Sequence, residues 1–124
     1  MDSVRDILET QDVGEISDMD VNEFYTVDSG SDAMMDLTVE KTYSDTVMVA
    51  HLYEQRGDIM ADPELRFDAS EWSDWTPTDF RQDGAPQVHQ QDSTGLGQGV
   101  QDFVSQWDDN LRRQGYVERA RNDY

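Results

Sequence analysis

The clearest pattern of apolar and polar positions lies near the C-terminus of the chain. Apolar side chains recur there at intervals of three and four residues: Val100, Phe103, Val104, Trp107 and Leu111. This spacing places them on one side of an α-helix and predicts a helix with a continuous apolar stripe. Gly115 follows where helices commonly end in a left-handed residue, so we expect the helix to end just before it. The polar residues 118–124 predict a frayed tail.

A second, shorter helix is predicted over residues 2–11. Its apolar positions, Val4, Ile7 and Leu8, share one face, and either Asp2 or Ser3 can cap the first turn. Residues 12–33 have no single hydrophobic period. A strand near 22–27 is the interpretation that fits them best.

Between the two helices the hydrophobic period becomes two. Met35, Leu37 and Val39 alternate with polar residues, which is typical of a half-buried strand. The next run, residues 46–53, is apolar at both parities and predicts a central strand. We expect the chain to turn at residues 55–58.

After that turn a short strand is predicted at residues 64–68, and a last short strand is predicted around Val88. Pro77 precedes Phe80 and indicates a sheet edge or a bulge. The elements together predict an α+β fold, with an antiparallel sheet of about four to five strands and both helices on one face. No linker divides the chain, so we expect a single domain over residues 1–117.

The charge indicates the environment of the protein more clearly than its function. The chain has 28 acidic and nine basic residues, a net charge of −19, and Lys41 is its single lysine. At molar salt the Debye length falls to about 3 Å, so that exposed carboxylates hardly repel one another and stay strongly hydrated. The composition resembles that of proteins from extremely halophilic archaea.

The same composition excludes several classes of protein. So few basic residues cannot supply the footprint of direct nucleic-acid binding. The absence of cysteine excludes disulfides, thiolate metal sites and cysteine nucleophiles. No apolar run is long enough for a membrane span and no signal peptide is recognisable, so a cytoplasmic protein is expected. An acidic mimic of nucleic acid stays possible, although the acids are scattered along the chain.

The densest group of candidate functional residues begins at the end of the central strand. Its members are His51, Tyr53, Glu54, Asp58, Asp62 and Glu64. His51 and Tyr53 are two residues apart and should share a strand face, whereas Glu54 should point to the other face. The remaining carboxylates are predicted to line the following turn.

Two interpretations of this group stay open. In the functional one, nearby carboxylates raise the pKa of His51, which serves as a general base or as a metal ligand. In the structural one, His51 is a satisfied residue at a polar strand end and the aspartates have ordinary turn roles. The acid spacing matches no calcium loop, and no phosphate-binding loop is present. We therefore predict no cofactor and no metal site.

One resemblance runs through this part of the chain. The segment H-L-Y-E-Q-R-G-D-I-M-A-D-P-E-L-R-F is followed by W-T-P-T-D-F-R-Q-D and by a helix ending L-R-R-Q-G-Y. Over residues 34–116 it is similar to a small domain family of unknown function, common in bacterial plasmids and mobile elements. Leu52 and Leu65 replace an aromatic residue and a methionine of the family pattern. The resemblance implies an accessory protein and no particular activity.

Three functions remain at this point. The first is a non-catalytic accessory or interaction domain with an unidentified protein partner. The second is a small enzyme or metal-binding protein that uses His51 and the nearby carboxylates. The third is an acidic inhibitor that mimics DNA.

Overall fold

The structure is a computed structural model that describes residues 1–30, 35–83 and 87–123. In this part of the chain, six antiparallel strands form one sheet in chain order, and three α-helices accompany it. The strands are β1 (Phe24–Val27), β2 (Leu37–Tyr43), β3 (Thr46–Gln55), β4 (Asp58–Asp68), β5 (Thr76–Gln82) and β6 (Val88–Gln91). The helices are α1 (Asp2–Glu9), α2 (Gln98–Arg113) and α3 (Tyr116–Asp123). The fold class is α+β, as predicted.

The sheet has six strands instead of the four to five predicted, and one strand is much longer than expected. The chain turns at residues 55–58 as predicted, but β4 begins at Asp58, so Asp58, Asp62 and Glu64 lie on a strand and not along a turn. The cause is a two-residue hairpin loop, Arg56-Gly57, in which both residues have positive φ angles of 54° and 84°. Such a loop matches the twist of the flanking strands and reverses the chain at once. Pro77 lies where the β4–β5 register shifts. A bulge was one of the two positions predicted for it.

One face of the sheet, here called the apolar face, forms the centre of the core. Its fully buried side chains are Leu37, Val39, Val47, Val49, Leu65 and Phe67. Phe80 extends this face on β5, and its ring centroid lies 5.3 Å from that of Phe103 on α2. His51 stands opposite Leu37 at one end of the same face.

The other side, here called the polar face, consists of two rows of residues that cross all six strands. Because side chains alternate along a strand, the pairing register defines the rows. The first row is Phe24, Glu40, Met48, Arg66, Asp79 and Gln91. The second row is Thr26, Thr38, Ala50, Glu64, Arg81 and His89.

The helix ends are fixed by contacts that are distant in sequence. The carboxylate of Asp108 on α2 accepts hydrogen bonds from the backbone N–H and the hydroxyl of Ser3, so α2 supplies the cap of α1. Gly115 follows α2 with a φ angle of 84°, as its position predicted. Residues 118–123, expected as a polar tail, lie in α3, and Ala120 of this helix is fully buried.

The single lysine is buried. The Nζ atom of Lys41 donates hydrogen bonds to the carbonyl oxygens of Ile16 and Met19, at 3.0 and 2.7 Å. These carbonyls belong to a single 3₁₀ turn and its end, which the lysine fastens to β2. The one lysine of this acidic chain therefore has a structural role in the interior.

Candidate functional site

His51 is enclosed between the sheet and the two C-terminal helices. Its ring centroid lies 5.5 Å from those of both Trp107 on α2 and Tyr116 on α3. Its Nδ1 atom lies 3.1 Å from the carbonyl oxygen of Asp36 and completes a hydrogen bond. The residue is 7% exposed. These contacts hold the imidazole ring in place, so His51 contributes to the packing of the core.

The environment of His51 lowers its pKa, contrary to the prediction from sequence. Burial disfavours the charged imidazolium and is the largest cause, whereas the Asp36 carbonyl and the charge of Asp62 act in the opposite direction. The prediction was wrong because it counted the carboxylates and could not count the aromatic rings of α2 and α3. The histidine is therefore held in its neutral form.

A β-bulge in β4 lies opposite His51. The β3–β4 register shifts between Ala50 and Leu52, so that two residues of β4, Asp62 and Pro63, face one residue of β3. The carboxylate of Asp62 accepts a hydrogen bond of 2.6 Å from the side-chain amide of Gln82. Asp62 thus links β4 to β5 instead of standing in a turn.

Tyr53 contacts a different group from His51, although the two are close in sequence. Its hydroxyl donates to the carbonyl oxygen of Asp83 at 3.4 Å, at the end of β5. The Asp83 carboxylate is buried and accepts hydrogen bonds from the backbone N–H of Ala61 and from both Nε and Nη2 of Arg81. The Arg81 hydrogen bonds, followed by that of Ala61, hold the pKa of Asp83 below its ordinary value.

The other candidate residues are dispersed. Glu54 and Asp58 are exposed beside the hairpin loop. Glu64 lies on the polar face, where its carboxylate is 4.0 Å from Nε of Arg66. Among the described residues, no group of three or more histidine or acidic side chains is arranged to hold a metal ion.

A shallow depression of about 300 Å³ lies beside His51. Its walls are Met35, His51, Pro63, Trp107, Asn110, Gln114 and Tyr116. The His51, Trp107 and Tyr116 side chains are almost fully buried, so little of them reaches this space. A larger depression of about 420 Å³ is separate from the candidate residues and includes Trp75 and Asp108 in its lining.

Sequence reasoning missed the polar group with the most hydrogen bonds, the one around Asp83. The signal was present, because Arg81 and Asp83 alternate in the segment D-F-R-Q-D and alternate residues share a strand face. The hydrogen bond from the backbone N–H of Ala61 to Asp83 could not be predicted, because Ala61 on β4 is distant in sequence.

A comparison with known families agrees with the prediction that this chain contains a domain of unknown function. The family model of a domain of unknown function, DUF6908, matches residues 3–117. The chain belongs to this family. All six candidate residues and the Asp83 group lie inside the DUF6908 match. No curated protein and no solved structure matches the chain.

None of the described helices has the length and apolar character that would be needed to cross a bilayer.

Proposed function

We propose that this DUF6908 chain is a non-catalytic interaction domain, a single unit that binds a protein partner through the polar face. In this proposal all helices pack on the apolar face and leave the polar face to the partner. The observation that carries it is the charge balance of the polar face. Its two rows contain three acids, two arginines and His89, in a chain with a net charge of −19.

Access to solvent supports the same surface. Phe24 at one edge of the polar face is 60% exposed, and the side chains of Arg81 and His89 near the other edge are 43% and 56% exposed. Exposed aromatic residues and arginines on one surface are a common composition of protein interfaces. A highly acidic body would repel most proteins elsewhere on its surface, so a nearly neutral face is where an approach costs least.

The proposed setting is the cytoplasm of a halophilic archaeon, with an accessory role in a plasmid, virus or integrated element. The charge supports the habitat and the family resemblance supports the accessory role. We expect the melting temperature, followed by circular dichroism, to rise steadily as potassium chloride increases from about 0.1 M to molar concentrations, because screening shortens the reach of carboxylate repulsion. A melting temperature that does not depend on salt would contradict the proposed habitat.

Two alternatives receive less support. A general base or metal ligand must be accessible, whereas His51 is buried and its candidate partners point to different contacts. A DNA mimic needs its carboxylates gathered on one elongated face, whereas the polar face of the sheet carries acids and arginines in nearly equal number. Elemental analysis of protein purified without chelators tests the metal-binding alternative, with bound metal in stoichiometric amount as the outcome that would revive it.

The interaction proposal is tested by capture at molar salt. The tagged chain is compared with Arg66→Glu on the polar face and with Arg121→Glu, a matched charge reversal on α3. We expect a specific partner to be retained by the original chain and by Arg121→Glu, and to be lost with Arg66→Glu. The capture is done well below the melting transition of each protein, because Arg66→Glu places like charges beside Glu64 and Asp79 and should lower the melting temperature. Equal capture by all three proteins would remove the polar face from the proposal.

A further inference from the structure

The charges of the polar face are arranged as a checkerboard on β4 and β5. Along β4, Glu64 alternates with Arg66, and along β5, Arg81 alternates with Asp79. The pairing register sets Glu64 beside Arg81 and Arg66 beside Asp79. Every charge in this square of four therefore has opposite charges as its nearest neighbours, both along its strand and across to the next.

Not every charged group of this square has a close partner within one chain. Arg66 lies 4.0 Å from Glu64, the outer limit of an ion pair, and its Nε atom has no hydrogen-bond partner among the described residues. About a third of the Arg66 side chain is exposed. On β5, by contrast, Arg81 is held by Asp83, and Asp79 contacts His89 at 3.1 Å.

We propose that the polar face binds a second copy of this chain, a proposal that rests on the interaction function above and names its partner. The two sheets would stack face to face about a twofold axis that lies between the two rows, perpendicular to the strands. Each first-row residue then faces the second-row residue of the same strand in the other copy. Arg66 faces the partner's Glu64, and Asp79 faces the partner's Arg81.

The twofold axis repeats both pairs, so the square is complementary to itself and gives four ion pairs between the copies. The remaining positions are compatible with the same stacking. At the centre of the sheet Met48 lies over the partner's Ala50, and both residues are already buried within their own chain, so they add little to the contact. Glu40 faces the partner's Thr38. No two like charges of the rows oppose each other. Packed sheets cross at about −30°, which displaces the outer strands more than β4.

The size of the surface sets the expected affinity. Six strands about 4.8 Å apart, crossed by two rows about 7 Å apart, give roughly 400 Å² for each copy and about 800 Å² for the pair. This area is below the standard size of specific interfaces, so a weak, reversible dimer is expected. Molar salt should favour it, since salt screens the repulsion between two bodies of charge −19 each.

The test uses two charge reversals that are complementary to each other. In an Arg66→Glu homodimer two carboxylates would oppose two others, and in a Glu64→Arg homodimer two guanidinium groups would oppose two others. A mixed pair of the two variants would restore both contacts. Sedimentation equilibrium at molar potassium chloride should detect a dimer of the original chain, each variant should weaken it at least about tenfold, and mixing the variants should restore it.

The controls keep effects on folding apart from effects on the interface. Asp58→Arg on the hairpin and Arg121→Glu on α3 make the same charge changes away from the polar face and should leave the dimer intact. A variant that simply fails to fold could not be rescued by mixing. The proposal is overturned if the original chain stays monomeric up to about 500 μM, where a weak specific dimer would be populated. It is also overturned if the dimer survives both single reversals. A monomer that still captures a partner through the polar face would leave the interaction function standing without the second copy.

Discussion

The two faces of the sheet differ in how far they expose their polar side chains to solvent. On the apolar face, His51 is enclosed by Trp107 and Tyr116 and kept neutral by burial. On the polar face, Arg66 and Glu64 lie 4.0 Å apart and remain partly in contact with water. The environment of a side chain, and not its chemical type, decides whether it serves as scaffold or as surface. A cluster of polar residues in sequence therefore does not by itself mark a site.

The largest expected effect tests the packing on the apolar face. Trp107→Ala removes a large buried ring that contacts both His51 and Phe103, and should lower the free energy of unfolding by about 3–5 kcal/mol. Denaturant unfolding at molar salt measures the change. Gln106→Ala, on the exposed side of the same helix, should have almost no effect, and equal losses would show that the helix register is wrong.

The next effect concerns the buried carboxylate that joins β4 to β5. Asp83→Ala leaves the N–H of Ala61 without its acceptor and removes two hydrogen bonds from Arg81, for an expected loss of about 2–3 kcal/mol. The exposed Asp58→Ala provides the control, with a change within about 0.5 kcal/mol. If the two substitutions cost the same, the Asp83 group would not be an anchor of the sheet.

A smaller loss is expected from the buried lysine. Lys41→Met keeps the length of the side chain but removes two donors, one for each carbonyl oxygen of Ile16 and Met19, and should cost about 1–2 kcal/mol. Thermal melts at constant salt measure it. Arg121→Met removes a charge from the exposed surface of α3, and a result as large as that of Lys41→Met would attribute the loss to net charge alone.

The smallest effect is a dependence on pH. The pKa of folded His51 lies below its unfolded value of about 6.5, so the unfolded chain takes up the proton first as the pH falls. The contribution of neutral His51 is complete above about pH 7, begins to fall near the unfolded pKa of about 6.5, and is lost as the pH passes below the folded pKa. The free energy of unfolding should decline more steeply over pH 7.5–5.5 for the original chain than for His51→Gln. Parallel curves would mean that His51 titrates freely in the folded protein.

Much of the fold could be predicted because local patterns carry it. The stripe from Val100 to Leu111 places five apolar residues on one side of α2, where three are buried and Phe103 and Val104 are partly buried against the core. The alternation before residue 40 and the apolar run at 46–53 predicted β2 and β3 for the same reason. The length of β4 was missed, because its first half, from Asp58 to Pro63, reads as turn residues when neighbouring strands are unknown.

The sequence by itself determined the α+β class, the principal helix, the central strands and the net charge of −19. The tertiary structure decided which polar residues are buried, because burial depends on groups that meet only after folding. Rings from α2 and α3 lower the pKa of His51, a backbone N–H from β4 fixes Asp83, and strand register alone brings Glu64, Arg66, Asp79 and Arg81 into one square. These contacts join residues far apart in the chain, and a local pattern of residues holds no information about them.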